Sequence, residues 1–348
     1  MNVNKLYKRN YFGPGILICA LLLAPFVSSP FIVSILIFIG LYSLVTTGLT
    51  MLMGYAGQIS LGHAAFYGIG AYATAVLSGT YGMPSIVGIL VGILLTVLVA
   101  TLIGIPTLKL KENYLALGTL GFGIIIFTFF KEFKGITGGL NGFFGIPALE
   151  LFGFTFDTEL KFYFLVWVLA ILSVFFSKNV IESRVGRALR SIHGSEVASS
   201  SIGVNIQSYK LKVFILSAVY ASIAGSLYAH YITFINPAVF TSMESINFLI
   251  MVVIGGSVNI WGGMIGATVY VLLNEILKDV VPLFFPNVGG EFQIIFFGLL
   301  IVVMLIYLPS GLSSSFDKIG EKIKQRRRKR ANRNGDAELK EIVGGGKS

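Results

Sequence analysis

The sequence predicts an all-α polytopic membrane protein of about ten transmembrane segments, with both termini cytoplasmic and helices broken by glycine-rich stretches. Three observations carry this prediction. The chain of 348 residues is 55% hydrophobic and only 12% charged, with mean hydropathy +0.83, whereas average globular chains are about 25% charged. Apolar runs of about 20 residues recur along it, long enough to cross a bilayer as helices that satisfy their own backbone. Glycine is abundant, at 41 residues, which suits closely packed membrane helices. A β-barrel would need short alternating strands, and these runs are continuous.

Taken in order, Lys5, Lys8 and Arg9 precede an apolar run from Ile16 to Val27. No A-x-A site follows and Pro30 interrupts, so this reads as an uncleaved first span rather than a signal peptide. Phe31 to Met53 is the second span. Gly54 to Tyr72 then reads GYAGQISLGHAAFYGIGAY, glycine-rich and polar at Gln58, Ser60 and His63. Such a break at membrane depth is tolerated only where protein or a water-filled cavity covers it. Ala64–Ser78, Ser85–Ile105 and Tyr114–Phe130 follow as spans three to five, and Phe162–Ser177 as the sixth. The intervening 131–161 loop is mildly acidic, and its TGGLNGFFGIP marks turns. Val213–Phe234 is the seventh span, and a turn at Asn236-Pro237 follows it. Ile246–Gly256 is a short eighth, broken at GGSVNIWGG (Gly255 to Gly263), and Met264–Leu277 and Phe292–Leu308 complete the count.

The net charge of +10 gathers at the N-terminus, in the 178–212 loop and in the C-terminal tail. With the N-terminus inside, all three fall inside and the acidic 131–161 loop falls outside, as the positive-inside rule requires. The tail, with five consecutive basic residues from Arg326 to Arg330, reads as disordered and solvated. Its role is topological, with anionic lipid as a second reading. No folded basic surface accompanies it, which argues against nucleic acid.

The stretch from Lys178 to Lys212 is the long charged segment between the hydrophobic runs, where six basic residues oppose Glu182 and Glu196. Arg184, Arg187 and Arg190 fall on one broad helix face. Gly194 is expected to end that helix in a left-handed cap. Ser195 is expected to cap a second helix of about seven residues, with Glu196 in its first turn and Gly203 just past its end. Carrying Ser199, Ser200 and Ser201, that helix is marginal in water and needs a docking surface. The residues alone leave two readings open: a connector lying on anionic headgroups, or a loop that docks a partner.

Catalytic signatures are missing. His63, His193 and His230 are scattered without metal spacing, and Cys19 is the one cysteine, so neither an intrachain disulfide nor a cysteine metal cluster is possible. No Walker A motif exists, and no cofactor motif was found. An ion-coupled secondary transporter would use acidic residues deep in the membrane, whereas Glu244, Glu275, Asp279 and Glu291 lie near predicted span ends. A membrane-embedded enzyme would need a cluster of His, Asp or Glu on neighbouring spans, and none is evident. The two glycine-rich breaks lie in different halves and follow spans of the same predicted direction. Transporters place such interrupted helices at the substrate path, which makes Gly57, Gln58, Ser60, Gly62, His63, Gly255 and Gly256 candidate path residues. Tight helix packing is the competing reading for the glycines, and a hydrogen-bonded packing role is the favoured one for His63.

Two motif sets resemble a known family. Glu196, Ala198 and Gly203 resemble the cytoplasmic EAA loop of ABC importer permeases, and the wider run Ser183, Gly186-Arg187-Ala188-Leu189 and Gly203-Val204-Asn205 is similar to LivM-type permeases of branched-chain amino acid importers. Gly57-Gln58-Ile59-Ser60-Leu61-Gly62-His63-Ala64-Ala65-Phe66, Thr119–Gly123, Thr137–Gly142 and Gly225–Ala229 are similar to the same family over roughly residues 31 to 310. Serines stand at 199–201 where the family carries more alanine, and Val258 stands where it usually has glycine. The resemblance implies a multi-pass permease of the bacterial inner membrane that does no bond chemistry itself. It also implies a LivH-type second permease, two ABC ATPases and a solute-binding protein as partners, beside membrane lipid. Arg187, Glu196, Ala198 and Gly203 would form the ATPase-coupling set. The expected organisation is a cytoplasmic N-terminus at 1–10, a permease domain at 11–310 containing the coupling loop 178–212, and a basic tail at 311–348. Branched-chain amino acids are the implied solute, with urea or short amides as the alternative within the family.

Overall fold

A computed structural model of the chain describes residues 29–109, 112–151, 153–257, 259–284, 291–307 and 311–313. The expected N-terminal segment and first span, Cys19, Val258 and the basic tail beyond 313 lie outside the described residues. The fold is mostly helical. Helix α1 spans Pro30–Thr50 and runs on through a π-helical turn, Met51–Tyr55. After a non-helical stretch, α2 spans His63–Ala75 and again ends in a π turn, Val76–Thr80. Next come α3 (Ser85–Thr107), α4 (Glu112–Glu132) and the single turn α5 (Lys134–Thr137). Helix α6 spans Glu159–Glu182, α7 Arg184–Gly194, α8 Glu196–Ser201 and α9 Ile206–Ile232. Helices α10 (Ser242–Gly255), α11 (Gly262–Phe284) and α12 (Glu291–Tyr307) complete the set.

Among the described residues, five stretches are long and apolar enough to cross a bilayer: Pro30–Tyr55, Ser85–Thr107, Tyr114–Glu132, Glu159–Glu182 and Ile206–Ile232. The chain is therefore a polytopic helical membrane protein. Strands also occur, which the all-α expectation did not include. Phe143–Phe144 (β1) pairs antiparallel with Phe234–Ile235 (β4), and Leu149–Leu151 (β2) pairs with Phe154–Phe156 (β3). The β2–β3 pair is a hairpin before α6, and the β1–β4 pair ties that connection to the one that follows α9.

These contacts define two ends of the bundle. At one, Ser34 accepts a hydrogen bond from the Tyr231 hydroxyl (2.8 Å) and Ser85 Oγ accepts from the Glu150 amide (3.4 Å), so the strands lie there. At the other, Gln207 Nε2 donates to the Ile105 carbonyl (3.4 Å), which places the 178–212 segment beside the end of α3.

Helix α9 is the central element, packed against α1, α2 and α3. Small residues allow the approach. A Cβ on Gly225 would overlap the Tyr67 carbonyl, and one on Gly70 would overlap the Ser222 carbonyl. With little hydrophobic drive between helices in lipid, close backbone packing and polar bridges hold them together. Thr74 Oγ1 donates to Ser226 Oγ at 2.9 Å, which donates to the Gly70 carbonyl at 3.0 Å. Trp167 Nε1 of α6 donates to the Leu36 carbonyl of α1 at 3.2 Å.

Candidate functional site

Helix α7 begins at Ser183, whose hydroxyl accepts from the Val185 amide at 3.1 Å and so satisfies one otherwise unpaired N–H. Gly186, Leu189 and Ile192 are buried on one face, and Arg184, Arg187 and Arg190 are exposed on the other. Arg187 Nη1 donates to the Glu182 carbonyl (3.4 Å) and Arg190 Nη1 to the Ile181 carbonyl (3.1 Å). Both cations sit at the C-terminus of α6, the end its dipole makes negative. Gly194 lies inside α7 and is not left-handed, contrary to the sequence expectation. The chain leaves the helix through Ser195, which is extended at φ −165. That conformation suits any residue, so no glycine cap is required.

Ser195 then starts α8, its hydroxyl accepting from the Ala198 amide at 3.3 Å. The helix closes with Gly203 at φ +82, its amide donating to the Ser200 carbonyl (3.0 Å), while Val204 donates to Ser199 (3.1 Å). Ser199 is buried against the body. Glu196 Oε1 accepts from Lys210 Nζ at 2.6 Å, and the lysine side chain is only 7% exposed. The pair clamps α8 to the first turns of α9. Ala198 faces out, and so do Val197 (77% exposed) and Ile202 (76%). Two apolar side chains therefore project from a short, clamped helix.

The end of α7 reaches the membrane helices. His193 Nδ1 donates to the Gly54 carbonyl (3.1 Å), at the π turn that ends α1. Gly57 beside it has φ +65, and a Cβ there would come within 2.9 Å of His193 Cδ2. Gly54 in turn packs against the Ser257 backbone, where its own Cβ would overlap the carbonyl oxygen. The two glycine-rich breaks thus meet each other, and the charged loop touches one of them.

Inside the first break, polar groups are paired across helices. His63 Nδ1 and Nε2 hydrogen-bond with Ser60 Oγ (3.0 Å) and Ser217 Oγ (2.7 Å). The free amides at the start of α2 find side chains as well: Thr119 Oγ1 accepts from Leu61 (3.0 Å) and Ser245 Oγ from Ala64 (2.9 Å). Gly62 lies against the Thr119 carbonyl. His63 and Ser60 are fully buried within the subunit. Gln58 is equally buried, and neither its amide oxygen nor its nitrogen has a partner among the described residues. At the second break Gly256 has φ +93, and Gly255 packs on the Gly262 carbonyl.

Glu244 lies in the first turn of α10, at the end of a short apolar helix as the sequence reading placed it, and it packs beside Tyr42, which is at the middle of the 26-residue Pro30–Tyr55 helix. The chain after α9 passes through β4 and the 3-10 turn Pro237–Phe240 before α10 begins. The carboxylate is half-buried; Asn247 Nδ2 donates to its Oε2 at 2.9 Å and the Tyr42 hydroxyl lies against it. Among the described residues it has no cation within salt-bridge range.

Of the residues named from sequence, Arg187, Glu196, Ala198 and Gly203 fall in one continuous surface element, and the path candidates fall at two touching breaks. The Glu196–Lys210 clamp, the His193 contact and the Tyr42 contact of Glu244 were not read from the sequence. The clamp joins residues fourteen apart across a turn, a spacing with no periodic signal.

Comparison with known proteins places the chain. The family model described as branched-chain amino acid transport system / permease component matches residues 31–305. The high-affinity branched-chain amino acid transport system permease protein LivM of Escherichia coli is 31% identical over 311 residues, covering 83% of this chain and 71% of the relative. A probable LivM of Methanocaldococcus jannaschii is 28% identical, covering 80% and 92%. The LivH permease of E. coli is 24% identical, covering 78% and 90%. No solved structure matches. With most of its length matched by that model, the chain belongs to the branched-chain amino acid transport system permease family.

Proposed function

We propose that the chain is the LivM-type permease subunit of an ABC importer that moves branched-chain amino acids across the cytoplasmic membrane. It works beside a LivH-type permease, two ATPase subunits and a solute-binding protein, and does no bond chemistry. Ten spans put both termini and the 178–212 loop on the cytoplasmic side, consistent with the excess of basic residues there. The observation that carries the reading is α8: a six-residue helix, clamped to the body by Glu196–Lys210, with Val197 and Ile202 projecting outward. An isolated helix of this length cannot hold itself, and two nearly bare apolar side chains on a cytoplasmic loop suit a hydrophobic groove on a partner. Arg187 stiffens the base of this knob, Ala198 lets the groove approach, and Gly203 sets its end.

Motion of α8 and α7 would reach the breaks through His193 and Gly54. Gly57, Gly62, Gly255 and Gly256 shape the broken helices, while Ser60 and His63 brace them from inside the subunit. Gln58, buried with its amide unpaired, is the break residue best placed to change partners.

The test is ATP-driven leucine uptake by proteoliposomes containing the full importer. The wild type should accumulate leucine only with the binding protein present. Val197→Asp with Ile202→Asp should abolish uptake and binding-protein-stimulated ATP hydrolysis while leaving permease insertion intact. Full stimulation in that variant would reduce the loop to a headgroup-bound connector.

A further inference from the structure

We infer that Glu244, with the aromatic rings around it, forms a transit site for the ammonium group of the transported amino acid; this rests on the function proposed above. A carboxylate at the middle of a membrane span is costly unless it is paired, and such residues mark substrate or ion routes. Here the paired groups are neutral: Asn247 Nδ2 at 2.9 Å and the Tyr42 hydroxyl. No resident cation balances the charge among the described residues, so the site lacks the one thing an ammonium would bring.

The surroundings fit the same ligand. Tyr42 and Tyr67 each meet Phe248, one turn beyond Glu244 on the same helix face, at ring separations of 5.7 Å. Tyr67 also meets Tyr228 at 5.5 Å, and Tyr67 and Tyr228 both lie within electrostatic reach of the carboxylate. Aromatic faces attract cations through their quadrupoles, most strongly where water is excluded. The Tyr67 hydroxyl is fully buried and has no hydrogen-bond partner among the described residues. A buried donor left unpaired is rare enough to need an explanation, and a solute carboxylate or an accompanying water in the site would supply one. Tyr42, Tyr228, Glu244 and Asn247 are half-buried, so the cluster reaches the subunit's own surface beside the middle of the Pro30–Tyr55 helix. A charge there cannot face lipid cheaply, but it can face a passage shared with a second permease.

The experiment measures equilibrium binding of radiolabelled L-leucine to the purified four-subunit membrane complex in nanodiscs, without the solute-binding protein. Competitors are 3-methylbutan-1-amine, which keeps the ammonium, and 4-methylpentanoate, which lacks it. In the wild type the amine should compete and the acid should not. Glu244→Gln should weaken leucine binding about tenfold or more and remove competition by the amine. Tyr228→Leu should weaken binding and Tyr228→Phe should restore it, a pair that keeps the test alive if Glu244→Gln fails to assemble. Leucine affinity unchanged in Glu244→Gln, equal competition by the acid, or no leucine binding by a wild type that imports leucine would each overturn the site and leave the function standing. A wild type that imports no branched-chain amino acid would overturn both. Loss of assembly in Glu244→Gln with Tyr228→Leu binding normally would assign Glu244 to a contact with the partner permease instead, and that also overturns the site.

Discussion

His193 Nδ1 and the carbonyl oxygen of Gly54 are 3.1 Å apart, a hydrogen bond between the end of the charged surface helix and the π turn that ends α1. It is a direct mechanical link between the loop and a glycine-rich break. π turns expose backbone groups that a regular helix would keep to itself, and here one of them is taken by the imidazole. The adjoining Gly57 is held at φ +65 and leaves room for the ring.

Gly57→Ala should therefore fail for two reasons. Its Cβ would press on His193 Cδ2 at 2.9 Å, and its left-handed backbone would cost roughly 1–2 kcal/mol. His193→Ala removes the bond without either strain. We expect solute-stimulated ATP hydrolysis to fall steeply in Gly57→Ala and partly in His193→Ala, with the melting temperature of the latter within a few degrees of wild type. Normal stimulation in both would show that the contact transmits nothing.

The Glu196–Lys210 clamp leads to a charge-swap test. Lys210 is 7% exposed and its partner carboxylate 52% exposed, so the pair is intermediate between a surface bridge and a buried one. Removing Glu196 strands a buried ammonium, at a cost of roughly 1–3 kcal/mol that outer solvent pulls to the low end. Glu196→Lys should uncouple the importer, and Glu196→Lys with Lys210→Glu should recover a substantial part of the stimulation. If the double variant is no better than the single, Glu196 serves the partner directly rather than the clamp.

These residues also show what a sequence can and cannot disclose. The span expected at Ser85–Ile105, found as the helix Ser85–Thr107, was legible because crossing a bilayer takes a long, predominantly apolar run. The start and end of α8 were legible because Ser195 and Gly203 act within one turn of themselves. Gly194 misled because a left-handed cap and an extended exit both end a helix, and only the geometry of the next helix decides between them. The surroundings of Glu244 were hidden for a different reason: its contact with Tyr42 joins helices far apart in the sequence, and no local pattern reports such a pairing.

Topology has its own check, since orientation rests on charge alone. In a Cys19→Ala background, Gln207→Cys should label only from the cytoplasmic side and Asn141→Cys only from outside. Both positions are exposed at the ends of the bundle, so a negative result cannot be blamed on burial. Labelling of both positions from the same side would end the ten-span arrangement, and the reverse pattern would overturn the cytoplasmic placement of the 178–212 loop.

Gly203 offers the cleanest separation of backbone from contact. It closes α8 at φ +82, and a Cβ built there meets nothing within 4 Å. A Cβ at 203 therefore meets no described residue, and the left-handed conformation is what opposes a side chain there. That conformation costs a β-branched residue roughly 1–3 kcal/mol and asparagine less. The six-residue helix it ends is held by few bonds: the Ser195 cap, the Gly203 and Val204 amides on Ser200 and Ser199, and the Glu196 clamp. A penalty of that size is comparable with what keeps the knob in shape. Gly203→Val should lose most of the ATPase stimulation by loaded binding protein, and Gly203→Asn should keep most of it. Insertion and the melting temperature of the membrane domain should stay unchanged in both, because no span is touched. Equal loss in the two variants would mean that the partner's groove rejects any side chain at 203. Full activity in both would mean that the shape of α8 does not matter to coupling, and the docking role assigned to it would fall.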